Sequence, residues 1–386
     1  RIPDEFMSER LARLGCTVEP AGDGTFTVTA PTNRPDLTRE VDLIEEVVRL
    51  WGEGDIEPTL PAARNHAGGL TVEQQRIRKI GATLRAFGLS ETSTYCFADE
   101  GDLAKLGMSD VHRGLPVQII NPLVADQAQM RRSMLPNLIR SVAYNIDHGV
   151  TNVGLYEIGR VFYGGEGKSQ PEEPTFVCGV MSGHRADDAW DQKYPEYDFF
   201  DAKGAVEQLL SALRIERVRF KVADPEQYTW LQPGRAAEVY ANKGELVGWV
   251  GNLHPLSLRN FGVDVPGVAF ELSVEKLLGL AKRELPYVEV PTLPGVSHDL
   301  AIVVDESVTC ETLEQRIKSA GGKLLADVQL FDVYRDPIRV GLGKKSMAFS
   351  LEYRAADHTL TSEEVERTHA KLVEKVLRAT GGEIRG

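Results

Sequence analysis

Four acidic side chains near the start of the sequence have the types and spacing of a possible magnesium site. Asp42, Glu45 and Glu46 stand at i, i+3 and i+4, and Asp36 lies shortly before them. This spacing brings three carboxylates onto adjacent turns of one helix surface, where like charges repel unless a cation neutralises them. Mg²⁺ prefers carboxylate and water oxygens and often takes only one or two carboxylates from one element. A solvated acidic helix face is the alternative that these residues alone leave open.

The helix that positions these acids is predicted by apolar residues at helical spacing, which are Val41, Ile44, Val47, Val48 and Trp51. We expect this apolar face to pack against the rest of a small lobe, with the acidic face opposite. A short helix and a hairpin that turns near residues 21–24 precede it. Residues 1–57 are therefore predicted to form a small lobe.

Composition and charge limit the class of protein. The chain is 42% apolar and 26% charged, which is typical of a globular protein. Its length of 386 residues predicts two or three domains. The four cysteines are widely spaced and indicate no disulfide framework, which favours a reducing cytoplasm. No apolar run is long enough to span a membrane, so no membrane association is expected. The chain begins at Arg1 with its first methionine at Met7, which suggests a piece of a longer protein.

The net charge of −13 argues against broad nonspecific binding to nucleic acid. The charge is uneven, because the residues from Thr292 onward carry 13 Lys+Arg and 15 Asp+Glu and are nearly neutral. Any contact with RNA is therefore expected from local basic patches in this last part of the chain.

The remaining pattern predicts an α+β protein. Residues 70–285 read as many short strands with a few helices set apart, which indicates a mixed or antiparallel sheet. A proline-rich stretch near residues 286–294 predicts a boundary. Residues 292–386 then give the order βαββαβ, the ferredoxin-like arrangement, in which one sheet face stays free of helices.

The run from Arg34 to Arg49 resembles the B5 domain of the bacterial phenylalanyl-tRNA synthetase beta subunit family. It reads Arg-Pro-Asp-x-Thr-x-Glu-x-Asp-Leu-Ile-Glu-Glu-Val-x-Arg. The resemblance implies that four acids hold Mg²⁺ at the contact with the alpha subunit of the enzyme; these are Asp36, Asp42, Glu45 and Glu46.

The middle of the chain is similar to the same family at three motifs, which are 121–123 (Asn-Pro-Leu), 156–162 (Tyr-Glu-Ile-Gly-Arg-Val-Phe) and 251–255 (Gly-Asn-Leu-His-Pro). The resemblance implies a class II synthetase-like core that does not catalyse and packs on the catalytic alpha subunit. The run Gly-x-Gly-x-Gly-x-x-Arg, whose arginine meets ATP phosphates in class II active sites, is absent from the sequence, as are a Gly-x-Ser-x-Gly elbow and a paired-histidine zinc motif. No residue is predicted to act as a nucleophile or general base.

The last part of the chain resembles the ferredoxin-fold anticodon-binding domain that ends these beta subunits, at 331–334 (Phe-Asp-Val-Tyr), 343–346 (Gly-Lys-Lys-Ser) and 359–361 (Thr-Leu-Thr). The resemblance implies RNA contacts from cations on or beside the two central strands and stacking from Tyr334. The predicted phosphate contacts are Arg335, Arg339, Lys344, Lys345 and Arg354. His298 and His358 stand where the family commonly has arginine, which removes a bidentate phosphate contact at each position.

These resemblances predict a noncatalytic beta-subunit fragment of phenylalanine-tRNA ligase, inactive alone. We expect it to pack on the catalytic alpha subunit in a family α₂β₂ tetramer and to bind the anticodon region of phenylalanine tRNA. ATP is used by the whole enzyme and is expected to be bound mainly by the alpha subunit. The alternative is a free-standing tRNA-binding or scaffold protein with a synthetase-derived fold.

Overall fold

A computed structural model describes residues 2–59, 68–108, 114–124, 127–164, 170–242, 244–282, 287 and 289–385. The chain divides into two compact units, Arg1–Lys79 and Ile80–Gly386. The domain boundaries predicted at 57–70 and 285–292 stay predictions, and both fall partly on residues outside these described ranges. In the part of the chain that the structure describes, no helix is both long enough and apolar enough to span a bilayer.

Among its described residues, the first unit contains two complete helices, the start of a third and a two-stranded antiparallel sheet. Its elements are α1 (Asp4–Arg13), β1 (Thr17–Gly22), β2 (Thr25–Thr29), α2 (Glu40–Trp51) and a 3₁₀ turn (Glu53–Asp55). Helix α2 begins with a capping box, in which the backbone N–H of Arg39 donates to the carboxylate of Asp42, 2.7 Å away. It ends at Gly52, whose φ of 112° suits glycine. This cap fixes the position of one of the four predicted magnesium ligands.

The predicted division of α2 into an apolar buried face and an acidic exposed face is wrong. Val41 is 54% exposed and Ile44 is 53% exposed, whereas Glu46 is only 9% exposed. The physical reason is that Leu43 and Val47, one turn apart, contact the small core of the unit. This places Glu46 beside that core, where burial requires a charge partner.

The second unit contains a seven-stranded mixed sheet in the order β3-β6-β7-β11-β10-β9-β8. Strand β3 runs parallel to β6, and every other neighbouring pair is antiparallel. This agrees with the predicted α+β class and mixed sheet. The elements, beginning with the helix that crosses the unit boundary, are α3 (Val72–Phe87), β3 (Ser90–Glu91), β4 (Phe97–Ala98), α4 (Asp102–Leu106), β5 (Gln129–Met130), α5 (Leu135–Asp147), β6 (Val153–Arg160), β7 (Thr175–Ser182), α6 (Phe199–Ala212), β8 (Arg219–Val222), β9 (Leu231–Ala241), β10 (Glu245–Leu253), α7 (Pro255–Arg259), β11 (Gly267–Ser273) and α8 (Val274–Leu280).

The stretches 92–97 and 116–120, whose β-branched and aromatic residues favour strands, are not formed as continuous strands. Residues 92–96 leave the sheet between β3 and β4, and Thr94 turns instead toward Arg131 and Glu157. In the second stretch, only a single bridge joins Gln118 to Gln129. Local polar contacts therefore replace ladder hydrogen bonds in the first stretch, whereas the second keeps two backbone hydrogen bonds, from Ile119 N–H to the carbonyl of Ala128 and from Met130 N–H to the carbonyl of Val117.

Both faces of the large sheet are covered. Helix α5 packs against β6 and β7, and Leu135, Leu138 and Ile139 are fully buried there with Val180. Residues of β7, β10 and β11 that point to the other face are equally buried, as Val177, Val250 and Phe270 show. Helix α6 packs against β10 and β11. The central strands β7, β10 and β11 are therefore packed on both faces.

The C-terminal part has the predicted βαββαβ order. Its elements are β12 (Val296–Asp305), α9 (Cys310–Gly321), β13 (Leu325–Tyr334), β14 (Lys344–Tyr353), α10 (Ser362–Thr380) and β15 (Glu383–Ile384), and the sheet order is β13-β14-β12-β15. Alternate residues of β12 and β14, among them Ile302 and Phe349, pack in one core with apolar residues of both helices. The Thr361 hydroxyl accepts a hydrogen bond from the N–H of Glu364, which caps α10, and Gly381 ends this helix in the left-handed conformation. Among the described residues, no helix packs on the opposite face of this sheet.

Candidate functional site

Two of the four predicted magnesium ligands, Asp36 and Glu46, are paired with arginines of the same unit. One guanidinium nitrogen of Arg34, Nη2, lies 2.7 Å from Asp36 Oδ2 and 2.7 Å from Glu46 Oε1. Arg49 also donates to Glu46. The hydrogen bonds from Arg49 and Arg34 hold the pKa of the Glu46 carboxyl below its ordinary value, and Arg34 lowers the pKa of Asp36 in the same way. Both carboxylates are therefore held ionised by cations that belong to the chain.

In the described structure, the other two predicted magnesium ligands, Asp42 and Glu45, are not paired with Arg34 or Arg49. Asp42 Oδ2 accepts backbone hydrogen bonds from Thr38, at 3.0 Å, and Arg39, at 2.7 Å, and these bonds lower the pKa of Asp42. Glu45 is exposed. Among the described residues, no three His, Cys, Asp or Glu side chains are grouped as a metal ion would require. Magnesium binding by Asp36, Asp42, Glu45 and Glu46 stays a prediction from the resemblance, and the residues as placed do not fit it.

We expect the exchange of backbone amides in α2 to be insensitive to magnesium, because the Glu46 and Asp36 carboxylates are already paired with arginines. Hydrogen exchange of α2 peptides, measured by mass spectrometry on the full chain with millimolar MgCl₂ or EDTA, checks this. Arg34→Met is expected to make α2 less protected and to create a magnesium response, because it frees Asp36 and leaves Glu46 with Arg49 alone. Arg13→Met, which removes an exposed pair with Glu9, is the matched control. Greater protection of α2 by magnesium in the unchanged chain would contradict this prediction and support a metal site at these acids.

The predicted RNA-binding cations of the C-terminal part occupy three different environments. Arg339 is exposed, and Lys344 is half-buried with its ammonium 3.5 Å from Glu383. Arg335 is exposed but forms a bidentate pair with Glu306, and Arg354 is paired with Glu352. Of the predicted phosphate contacts, Arg339 and Lys344 are therefore the two that are held least by carboxylates of the chain itself.

Lys345 is not a surface cation, contrary to the prediction. It is 8% exposed, and its Nζ donates to the backbone carbonyl of Glu306 at 2.8 Å. Its position explains this, because Lys345 alternates in register with Met347 and Phe349, which face the core. Arg335 and Lys345 together lower the pKa of Glu306, so this trio ties the end of β13 to the turn after β12.

Tyr334 is in place for stacking but already has three partners, one of which is the side chain of Arg339, through a hydrogen bond. Its hydroxyl donates to Asp336 at 2.9 Å, and the guanidinium of Arg385 lies 4.4 Å from the centre of its ring. Arg385 was not predicted from the sequence, since it follows β15 at the opposite edge of the sheet. A base that stacked on this side of Tyr334 would have to displace Arg385 or stack with it.

The two histidines that replace arginines behave differently. His358 lies 2.8 Å from Asp357 and 3.1 Å from Glu364, and these carboxylates raise its pKa. His298 is instead beside His369, with ring centres 5.1 Å apart. Burial and the neighbouring His298 lower the pKa of His369. His358 therefore keeps more cationic character near neutral pH than an isolated histidine.

The large sheet contains a buried ion pair between Arg131 and Glu157. Arg131 Nη1 lies 2.8 Å from Glu157 Oε1, and the two side chains are only 2% and 5% exposed. Thr94 bridges them, donating to Glu157 and accepting from Arg131, while Arg131 Nε donates to the carbonyl of Arg160. A Cβ at Gly159 would lie 2.3 Å from Arg131 Nη2, which explains the glycine in the motif at 156–162. Both charged groups of the pair therefore already have hydrogen-bond partners within the chain.

Apolar side chains are exposed at the tip of a hairpin that precedes β5. The N–H of Ile119 donates to the carbonyl of Ala128, and the loop between them carries Ile120 at 101% exposure and Leu123 at 95%. Tyr95, which stacks with Phe97 of the adjoining strand β4, is 75% exposed. Large apolar residues gathered in this way are typical of a contact surface for another protein.

Comparison with known families gives three successive matches along the chain. Residues 1–52 match the tRNA synthetase B5 domain, 56–274 match the Phenylalanyl tRNA synthetase beta chain CLM domain, and 291–385 match the Ferredoxin-fold anticodon binding domain. The CLM match alone covers more than half of the chain. The chain belongs to the phenylalanyl-tRNA synthetase beta chain family.

Individual members of the family agree with this assignment. The Phenylalanine–tRNA ligase beta subunit of Bacillus subtilis (strain 168) is 38% identical over 373 residues, which are 96% of this chain and 45% of the relative. The subunit of the same name from Halalkalibacterium halodurans is 36% identical over 394 residues, covering 100% of this chain and 48% of the relative. The chain therefore spans about half the length of the curated relatives that it matches.

Among solved structures, the crystal structure of Pyrrolysyl-tRNA synthetase from Desulfitobacterium hafniense is similar over 56% of this chain and 75% of that one. The TM-score is 0.42 and the sequence identity is 14%. This likeness is too weak to carry an argument about the fold.

Proposed function

We propose that this chain is a noncatalytic part of the beta subunit of phenylalanine-tRNA ligase, a class II enzyme, and is inactive alone. Its role is to pack on the catalytic alpha subunit, in a cytoplasmic α₂β₂ enzyme, and to hold the anticodon region of phenylalanine tRNA. ATP is then bound mainly by the alpha subunit. The noncatalytic assignment rests on the packing of the large sheet. Helix α5 and the buried Arg131–Glu157 pair fill the face on which a substrate cleft would have to lie.

The RNA-binding role is supported by the helix-free face of the C-terminal sheet. Tyr334 lies at the end of β13, Lys344 begins β14, and Arg339 lies in the loop between these strands. Single-stranded RNA is commonly bound by such a combination of an open sheet, an aromatic ring and nearby cations. Arg385 joins the group through its contact with Tyr334.

Arg339→Ala combined with Lys344→Ala is expected to weaken binding of phenylalanine tRNA. Loss of two phosphate contacts should also reduce the slope of log affinity against log salt concentration by about 1 to 2. Fluorescence anisotropy with labelled tRNA across a salt series measures both quantities. An unchanged slope would remove these residues from the RNA surface.

The matched control for this experiment is Lys371→Ala combined with Lys375→Ala. These are exposed cations of α10, which packs on the other face of the sheet. The control removes the same charge, so it should leave the slope nearly unchanged. An equal loss in both double variants would indicate general electrostatic attraction without a defined RNA face.

One observation favours the second candidate, a free-standing tRNA-binding or scaffold protein. The acidic helix needs no partner or shared metal, because Arg34 and Arg49 already neutralise Glu46. A requirement for an alpha subunit therefore rests on the exposed hairpin and on family membership, not on α2. Assembly and activity measurements separate the two candidates.

A further inference from the structure

The motif Gly-Asn-Leu-His-Pro at 251–255 is explained by the fold at every position except one. A Cβ on Gly251 would lie 2.8 Å from the Cβ of Ala236, so the close approach of β9 requires glycine. Leu253 is buried in the core, and His254 accepts a hydrogen bond from the N–H of Leu256 as the cap of α7. Pro255 takes the first position of that helix. Asn252 is left without a structural role.

Asn252 is a buried amide with an unmet hydrogen bond. It is 6% exposed, and its Oδ1 atom is buried without a hydrogen-bond partner. A buried acceptor left unpaired destabilises a fold, so such groups are uncommon unless something else binds them. The unmet acceptor requires a hydrogen-bond donor.

Asn252 lines a cavity of about 370 Å³ at the ends of β9, β10 and β11. The size is within the range of small-molecule sites. Apolar side chains form part of its wall, and they are Leu253, Leu258, Val263 and Val265. The cavity therefore combines an apolar wall with a buried polar group.

The rim of the cavity is cationic in a chain of net charge −13. A bulge in β9 places Gln232 to Arg235 outside the regular pairing, since Leu231 pairs with Leu253 and Ala236 with Gly251. The guanidinium of Arg235 has no hydrogen-bond or ion-pair partner among the described residues. Arg259, the second rim cation, lies 3.7 Å from Asp264. Arg235 is thus available to an anion.

We infer that this cavity binds a small carboxylate with a hydrogen-bond donor beside the carboxylate and an apolar body, the chemistry of an apolar α-amino acid. Arg235 binds the carboxylate, Asn252 Oδ1 accepts from the ammonium group, and the apolar wall covers the side chain. The site is separate from the proposed RNA surface and does not depend on the proposed function.

Ligand comparison tests the inference on the full chain by isothermal titration. L-Leucine is expected to bind, whereas isocaproate, which lacks the ammonium group, and leucinamide, which lacks the carboxylate, are each expected to bind about tenfold more weakly or worse. L-Phenylalanine is included as a larger member of the class. No binding of either amino acid, or competition by inorganic phosphate or AMP at equal concentration, would overturn the inference.

Variants assign the binding to this cavity. Arg235→Met is expected to weaken L-leucine binding about tenfold, and because Arg235 is exposed the change should leave the fold intact. Asn252→Leu removes the acceptor and should weaken leucine without affecting isocaproate. Arg316→Met, at an exposed arginine of α9, is the matched control and should bind as the unchanged chain does. Equal binding by the Arg235 variant and the control would place the ligand elsewhere.

Discussion

Replacing Ile120 and Leu123 together by aspartate is expected to weaken assembly with a phenylalanyl-tRNA synthetase alpha subunit by about a hundredfold. Both side chains are almost fully exposed at the hairpin tip, so the change should not disturb folding of the chain itself. At an interface, however, each aspartate replaces apolar burial by a desolvated charge, and a loss of about 1.4 kcal/mol at each of the two positions is a hundredfold in affinity. Sedimentation velocity or titration calorimetry with purified alpha subunit measures the change.

The matched control for the hairpin is Ile338→Asp combined with Leu342→Asp. These residues are 95% and 89% exposed in the loop after β13, so the control adds the same charge to an equally exposed apolar pair. It is expected to assemble normally. If both double variants assemble as tightly as the unchanged chain, the hairpin is not the partner surface.

Glu157→Gln is expected to destabilise the second unit by about 3–5 kcal/mol, because it leaves the buried guanidinium of Arg131 without a counter-charge. The pair is 2% and 5% exposed, so solvent cannot supply the missing compensation. Urea unfolding followed by far-UV circular dichroism gives the free energy of unfolding. A loss below about 1 kcal/mol would mean that water reaches the pair and that it is not buried as described.

Two controls separate loss of the charge partner from loss of contacts. Glu173→Gln removes the exposed pair with Arg160 of the same strand, and it should cost less than about 1 kcal/mol. Arg131→Met combined with Glu157→Leu replaces both charges by apolar groups and should recover most of the stability lost in Glu157→Gln. A double variant as unstable as Glu157→Gln would show that packing, not the unpaired charge, dominates.

The parts of the fold that could be predicted from sequence are those fixed by local signals. The βαββαβ order of the C-terminal part is confirmed, because its strands alternate and its second helix has a capping threonine and a terminal glycine, Thr361 and Gly381. The burial of Lys345 could also have been predicted, since it alternates with Met347 and Phe349 along β14. Local periodicity is sufficient where each element is long and regular.

The parts that could not be predicted depend on contacts between residues distant in the sequence. Glu46 is buried because Arg34, twelve residues earlier, folds back to it. Arg385 meets Tyr334 because both side chains lie on one face of the sheet, although their strands are at opposite edges of it. The four-acid pattern of α2 suits a metal as well as an internal arginine cluster, and only the placement of the arginines distinguishes these interpretations.

Phenylalanine-dependent exchange of pyrophosphate into ATP tests the central claim most directly. The measurement uses this chain alone, purified alpha subunit alone, and the mixture, with the full-length beta subunit as the positive control. We predict no exchange by this chain alone and exchange in the mixture above that of the alpha subunit by itself. Exchange catalysed by this chain alone would contradict the account, because it would require an active site in a chain whose central sheet strands are packed on both faces.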